Sequence, residues 1–213
     1  MSAGCGHHAE FDGVSDDYRR RLWLVIAINA GMFAVEMVGG HLSGSKALQA
    51  DALDFLADSL TYGISLAVIG ASLRVRATAA LAKGFSLLVM GIWVMASTVH
   101  AVFFIETPQA GVMGAIGFAA LAANLASVLI LMRYKDGDAN VRSVWLCSRN
   151  DAIGNVAVMV AALGVWGSST GWPDLIVAGI MASLFLSSAF QIVRQGLAEY
   201  RRGESHDHPS HVH

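Results

Sequence analysis

Charged side chains are scarce in this sequence, and their scarcity argues against most classes of soluble protein. Only 14% of the 213 residues are charged, whereas an ordinary soluble domain carries about 25%. So few charges cannot cover a water-facing surface, which argues against a soluble enzyme and against a disordered chain. The net charge of −2 provides no strongly basic face, so we expect no nucleic-acid partner.

A disulfide framework and a signal peptide are also missing. The two cysteines, Cys5 and Cys147, are too few for a disulfide scaffold and do not identify the redox compartment. The first 21 residues are polar and acidic, and they lack the charged-then-apolar layout of a signal peptide. We therefore expect residues 1–21 to form an N-terminal tail outside the membrane.

Long apolar segments dominate the sequence instead, with 55% apolar residues and a mean hydropathy of +0.55. A membrane-spanning helix needs roughly 20 such residues. The segments of this length are Leu22–Gly40, Ala47–Ser72, Gly84–Ile105, Ala110–Met132, Val144–Gly167 and Asp174–Val193. The sequence therefore predicts an all-α integral membrane protein with six transmembrane helices. Its transport domain would occupy residues 22–195, followed by a His-rich tail at 196–213.

Basic residues are concentrated on one side of the predicted spans. With the N-terminus in the cytoplasm, the inside segments carry all of the 14 Lys and Arg residues except Lys46. The positive-inside rule then places both termini in the cytoplasm, which requires an even number of spans. The compact size and the lack of a targeting segment favour a prokaryotic plasma (inner) membrane.

Carboxylates lie inside the predicted spans, where lipid disfavours them. They are Glu36, Asp51, Asp54, Asp58 and Asp151. No basic residue is expected deep beside them, because Lys46 and Arg149 lie toward the ends of spans. Each ionised acid would cost roughly 2.5 to 3.5 kcal/mol at mid-membrane. The acids must therefore be neutralised by a bound cation, hydrated, or protonated and hydrogen-bonded to neighbouring helices; we favour the cation.

The spacing of these residues points to one metal site between two helices. Asp54 and Asp58 are four residues apart in the second span, as are Cys147 and Asp151 in the fifth. Residues at this spacing share a helix face, about 5 to 6 Å apart. Three carboxylates and one thiolate suit tetrahedral Zn²⁺ rather than Mg²⁺ or Ca²⁺. A buried Cys is also commonly a small apolar residue, and the spacing leaves both interpretations of Cys147 open.

Two further polar residues extend these faces. Asp51 precedes Asp54 by three residues, and Asn155 follows Asp151 by four. We expect Asp51 and Asn155, together with Glu36 of the first span, to support the metal ligands or to relay protons. Because metal binding releases protons from its ligands, a site reached alternately from two sides would exchange metal for protons.

Histidine is concentrated in the C-terminal tail. The residues are His206, His208, His211 and His213. Such a tract can bind metal loosely and raise its concentration at a pore mouth. The alternative is a solvated tail without a role, and the sequence does not decide between them.

Several motifs resemble the cation diffusion facilitators of divalent metals. From Glu36 to Asp58 the chain carries Gly-Gly, Ser-Gly-Ser and Ala-Asp-Ala, followed by two Asp four residues apart, as in the family's first two helices. The region from Asn140 to Asn155 resembles the approach to the fifth helix, and Trp-Pro-Asp at 172–174 resembles the turn into the sixth. The resemblance covers about residues 20–200.

The resemblance implies a six-helix fold, usually a homodimer, that exports Zn²⁺ or a related ion (Cd²⁺, Co²⁺, Fe²⁺ or Ni²⁺) against protons. Its four-ligand site maps onto Asp54, Asp58, Cys147 and Asp151. The family commonly has His at the position of Cys147, which shifts the expected preference toward softer ions such as Cd²⁺ or moves the fourth ligand to Asn155 or Asn150. The family's C-terminal cytoplasmic domain and its His-rich loop are expected to be missing.

Two other functional classes compete with a transporter. A membrane-bound metal-binding partner or sensor without transport activity would explain the chelating tails and the missing soluble domain. An intramembrane hydrolase with a metal-bound water would need a separate base or an oxyanion donor, and the sequence has no motif for either. We therefore expect a non-enzyme without a resident cofactor, whose partners are divalent cations, protons and lipid.

Overall fold

The chain is described here from a computed structural model that covers residues 16–67, 73–104, 106–134 and 139–206. Within these ranges, the description leaves out the side chains at 65, 73, 74, 76, 134–150, 199 and 202–206. The histidines of the tail beyond residue 206 therefore lie outside the described residues. His206 contributes its backbone alone.

Six long helices account for almost all of the described chain, which contains no strand. They are α1 (Asp16–Ser43), α2 (Lys46–Ala67), α3 (Leu73–Phe103), α4 (Ala110–Leu131), α5 (Ala139–Ser168) and α6 (Trp172–His206). A short 3₁₀ turn, Met132–Tyr134, follows α4. The predicted all-α architecture is confirmed, with one helix for each predicted span. α1 begins inside the predicted N-terminal tail, and α6 continues beyond residue 195 to His206.

Five of these helices are long and apolar enough to cross a membrane: α1, α3, α4, α5 and α6. α2 differs because it carries Lys46 and three aspartates within its 22 residues. These charges explain why α2, which bears two of the four predicted metal ligands, is not recognised as a membrane span by its hydropathy.

The helices pack as two adjoining groups. α1 lies along α2, α4 lies along α5, and α1 also contacts α4, while α3 pairs with α6 and both contact α2. The α3–α6 pair is close because glycine faces the neighbouring helix. A Cβ on Gly84 would lie 2.9 Å from Cγ2 of Val193 and 3.2 Å from its backbone nitrogen. Small residues permit such close helix packing in membranes.

Polarity is inverted relative to a soluble protein. Large apolar side chains such as Trp166 and Phe103 face outward and are each 77% exposed, whereas Glu36 and Asp51 are 0% and 1% exposed. Lipid is the natural solvent for such an apolar surface. The polar groups therefore line the interior of the bundle, where a transported ion would be shielded from lipid.

The start of α2 is held by a residue of α6. Ser45 acts as the N-cap of α2, because its hydroxyl accepts a hydrogen bond of 3.1 Å from the Leu48 N–H. The same hydroxyl donates to the buried Asp174 carboxylate, which also accepts from the backbone N–H groups of Lys46 (2.7 Å) and Ala47 (3.0 Å). These bonds set the position from which α2 carries its acids into the bundle.

Candidate metal site

Asp58 of α2 lies where three helices meet. Its Oδ2 atom accepts a short hydrogen bond from the Tyr62 hydroxyl and a longer one of 3.5 Å from Nδ2 of Asn29 in α1. Its carboxyl group also makes a hydrogen-bond contact with the carboxyl group of Asp151 in α5. The structure therefore brings together the two acids that the sequence assigns to one site from different helices.

The spacing of acids along α2 adds two more carboxyl groups to this region. Asp54 is within electrostatic range of both Asp58 and Asp51, and Asp151 is within range of all three. One helical turn separates each acid of α2 from the next, so they share one face of the helix. Their mutual repulsion makes the region strongly attractive to a cation.

Gly154 of α5, one turn after Asp151, faces the acids of α2. A Cβ on Gly154 would lie 3.9 Å from Oδ1 of Asp51 and 3.8 Å from Cε of Met181 in α6. Both distances are ordinary van der Waals separations, so this part of α5 lies directly against Asp51 of α2. The i, i+3 spacing of Asp151 and Gly154 places both on adjoining parts of one face.

A second group of buried polar atoms surrounds Glu36 of α1. Glu36 is within electrostatic range of Asp51, and the two side chains are 0% and 1% exposed. Their carboxyl groups make a hydrogen-bond contact with each other, and among the described residues neither oxygen of Glu36 nor Oδ2 of Asp51 has any other hydrogen-bond partner. Both amide atoms of the fully buried Asn155 are also unpartnered in the described part of the chain. Such groups are costly in an apolar interior, which indicates that they interact with water, protons or ions.

The structure does not assemble a complete metal site in its described part. Within the described ranges, no three His, Cys, Asp or Glu side chains are spaced to hold one ion. The Cys147 side chain lies outside the description, as does that of Asn150, so the fourth ligand remains a prediction. Metal coordination by Asp54, Asp58 and Asp151 would require these side chains to close around the ion.

Lys83 of α3 corrects the expectation that no basic residue lies beside the acids. Its ammonium donates a hydrogen bond to the Thr61 hydroxyl of α2 and is within electrostatic range of Asp58. The sequence placed Lys83 just before the third span, whereas α3 begins at Leu73, ten residues earlier. The extra helical turns carry the lysine alongside α2.

Tyr62 and Asp174 are two further residues that the sequence interpretation missed. The four-residue spacing of Tyr62 from Asp58 on one helix was a usable signal for their hydrogen bond. For Asp174 the sequence offered the Trp-Pro-Asp motif but not its contacts, because its partners are 127 to 129 residues away in the sequence. Its contacts depend on how α6 packs against α2.

Comparison with known proteins identifies the family. The sequence profile of the cation efflux transmembrane domain matches residues 22–199, which include every described acid of the site. The zinc transporter ZitB of Escherichia coli is 31% identical over 204 residues, covering 88% of this chain and 64% of its own length. The chain thus spans less than two thirds of this relative.

More distant relatives carry broader names. The cadmium, cobalt and zinc/H(+)-K(+) antiporter of Bacillus subtilis is 25% identical over 183 residues, covering 78% of this chain and 58% of its own length. The metal cation efflux system protein CzcD of Cupriavidus metallidurans is 24% identical over 206 residues, covering 91% and 64%. The profile match and the apolar helices lead to one conclusion: the chain belongs to the cation efflux family and is an integral inner-membrane protein.

Proposed function

We propose that the chain exports a divalent metal cation, Zn²⁺ or a related ion such as Cd²⁺, Co²⁺, Fe²⁺ or Ni²⁺, in exchange for protons. The observation that carries this proposal is the contact between the carboxyl groups of Asp58 and Asp151 across α2 and α5. The names of the relatives, which include zinc, cadmium and cobalt, support the choice of cargo.

The carboxyl pair provides a direct link between metal and proton. An ionised carboxylate only accepts hydrogen bonds, so Asp58 and Asp151 can share a hydrogen bond only while one of them carries a proton. A metal ion that binds both groups must displace that proton. Binding of metal and binding of proton thus exclude each other, which is the requirement for exchange transport.

We infer that the metal ligands are Asp54, Asp58, Asp151 and Cys147. In the described geometry Asp58 and Asp151 satisfy each other, and the ion would replace their shared hydrogen bond. Asp54 would move inward from its half-buried position to complete the carboxylate set. A thiolate from Cys147 would favour Zn²⁺ or Cd²⁺ over hard cations.

Glu36, Asp51 and Asn155 form the proposed proton path. Glu36 and Asp51 are buried neighbours, and Asp51 is also within electrostatic range of Asp151. Two carboxyl groups in contact can pass a proton between them, and no other hydrogen bond among the described residues holds the oxygens of Glu36. The path would connect the metal site to the end of the bundle that contains the start of α2.

The membrane arrangement follows from the same assignment. We infer that α2 crosses the membrane with the other five helices, shielded by α1, α3, α5 and α6, and that both termini are cytoplasmic. The functional unit would be a homodimer in a prokaryotic inner membrane, exporting the ion from the cytoplasm.

Flux into proteoliposomes tests this function. Purified protein is reconstituted, a pH gradient is imposed, and uptake of Zn²⁺ and Cd²⁺ is followed with an entrapped fluorescent chelator. We expect gradient-driven uptake by wild-type protein and its loss, by at least about 10-fold, in Asp151→Asn, because a proposed metal ligand loses its charge. Asp16→Asn makes the same change at an exposed residue and should transport normally. Metal binding without flux would instead support a non-transporting metal-binding partner or sensor.

A further inference from the structure

Lys83 is a cationic residue near the acids of α2, and the proposed exchange of metal for protons assigns it no role. Its side chain is half-buried between α3 and α2. The ammonium donates a hydrogen bond to Oγ1 of Thr61, whose hydroxyl itself donates to the backbone carbonyl of Ala57 at 2.5 Å. The lysine therefore has a defined polar docking point on the helix that bears the acids.

This docking point adjoins the metal site. Thr61 follows Asp58 by three residues and so lies one turn further along the same helix face. Lys83 is within electrostatic range of Asp58 while it is bonded to Thr61. A lysine has a flexible four-carbon stem with a compact charge at its tip, so its ammonium can move between the hydroxyl and the carboxylate without movement of α3.

We propose that Lys83 is a tethered counter-cation of the metal site, which partly balances the acids when the site is empty and weakens the binding of a divalent ion. This inference rests on the proposed transport function and concerns the affinity of the same site. Lys83 is a positioning residue in this scheme, because it acts on the metal through Asp58.

The physical argument is one of charge balance. Several acids in an apolar interior would retain a divalent cation too tightly for rapid release, since attraction between charges is strong where water is excluded. A nearby ammonium repels the incoming ion and attracts Asp58 after the ion has left. Thr61 limits this effect, because its hydroxyl holds the ammonium one turn away from the carboxylate.

Two substitutions with opposite expected effects provide the test. Lys83→Met keeps the length of the side chain but removes its charge, so we expect the Kd for Zn²⁺ to fall about tenfold. The maximal flux should fall with it, because release becomes slower. Thr61→Val keeps the shape but removes the docking hydroxyl, so the ammonium moves toward Asp58 and the Kd rises. Isothermal titration of the full-length protein with Zn²⁺ in nanodiscs gives the Kd, and proteoliposome flux gives the maximal rate.

Controls separate charge from packing. Lys83→Arg retains the positive charge and should bind Zn²⁺ within about threefold of wild type. Lys46→Met makes the same change at the far end of α2, where the ammonium bonds to Gln49, and should leave the Kd unchanged. Should Lys83→Met fail to fold, Lys83→Gln replaces it with the same expected direction.

The two proposals fail in different ways. Equal Zn²⁺ binding by wild type and Asp58→Asn would overturn the proposed metal site. Loss of binding in Asp58→Asn, together with an unchanged or higher Kd in Lys83→Met, would overturn the role of Lys83 alone. A lower Kd in Lys83→Met and a higher Kd in Thr61→Val would support it.

Discussion

The Asp174 carboxylate accepts a hydrogen bond of 2.6 Å from the hydroxyl of Ser45, 129 residues earlier in the chain. With two backbone N–H groups of α2 as further donors, a residue of α6 completes the cap of α2. A negative charge at a helix N-terminus is also favoured by the helix dipole. The helix that carries Asp51, Asp54 and Asp58 is thereby anchored at its start to the α3–α6 pair.

Removal of this anchor should destabilise the protein. Asp174→Ala leaves a hydroxyl and two buried N–H groups without their acceptor, so we expect a loss of about 2 kcal/mol or more. Asp174→Asn retains one acceptor oxygen and should be intermediate. Thermal unfolding in detergent measures the effect, with the exposed Asp16→Ala as control. Equal melting temperatures for the two alanine variants would refute the anchoring role.

The close approach of α3 and α6 predicts a position-specific effect of a single methyl group. Gly84→Ala places a Cβ 3.2 Å from the backbone nitrogen of Val193, which cannot move without shifting α6. We expect a loss of about 1 to 3 kcal/mol. Gly114→Ala on α4 has no atom within 4 Å of the added Cβ and serves as the matched control. The midpoint of unfolding in mixed micelles distinguishes them, and equal stability would argue against tight α3–α6 packing.

We expect Glu36 to be needed for transport although it lowers the unfolding free energy of the protein. Glu36→Met removes a buried carboxyl group whose one hydrogen-bond contact among the described residues is with another acid, Asp51, so we expect a gain of about 1 to 3 kcal/mol in unfolding free energy. Gradient-driven Zn²⁺ flux should fall, because the proposed proton path is interrupted. Glu106→Met, in the exposed loop before α4, should change neither property. A less stable Glu36→Met with normal flux would remove Glu36 from the path.

Zinc affinity should depend on pH in a defined direction. The ion must displace the proton between Asp58 and Asp151, so lowering the pH favours the metal-free form and raises the Kd. For each proton released, the Kd should rise about tenfold per pH unit. Calorimetry in two buffers of different ionisation enthalpy counts the protons directly. In Asp151→Asn the count should fall by one; a Kd that is independent of pH would contradict displacement.

Local spacing predicted those parts of the site that lie on a single helix. Asp54 and Asp58 share a face because a helix repeats every 3.6 residues, and this holds wherever the helix packs. The same argument covered Asp151 and Asn155 on α5. The pairing of α2 with α5 was inferred from the cost of unpaired acids in lipid, and the contact between Asp58 and Asp151 is consistent with it.

The spacing of residues along the sequence could not predict the contacts between different helices. Lys83 was interpreted as a residue near a span end, but its reach to Thr61 depends on the depth and rotation of α3 against α2. A hydropathy pattern reports how apolar a segment is and carries no information about which faces meet. The sequence predicted which acids lie inside the bundle, but it did not predict that Lys83 lies near them.

The sequence by itself determined the all-α class, the number of helices and the acids that lipid cannot solvate, because composition and helical periodicity act within one segment. The tertiary structure decided which carboxyl groups touch, which hydroxyl docks Lys83 and which carboxylate caps α2. These relationships join residues up to 129 positions apart. They arise from side-chain packing between helices, where a glycine such as Gly84 sets the distance of approach.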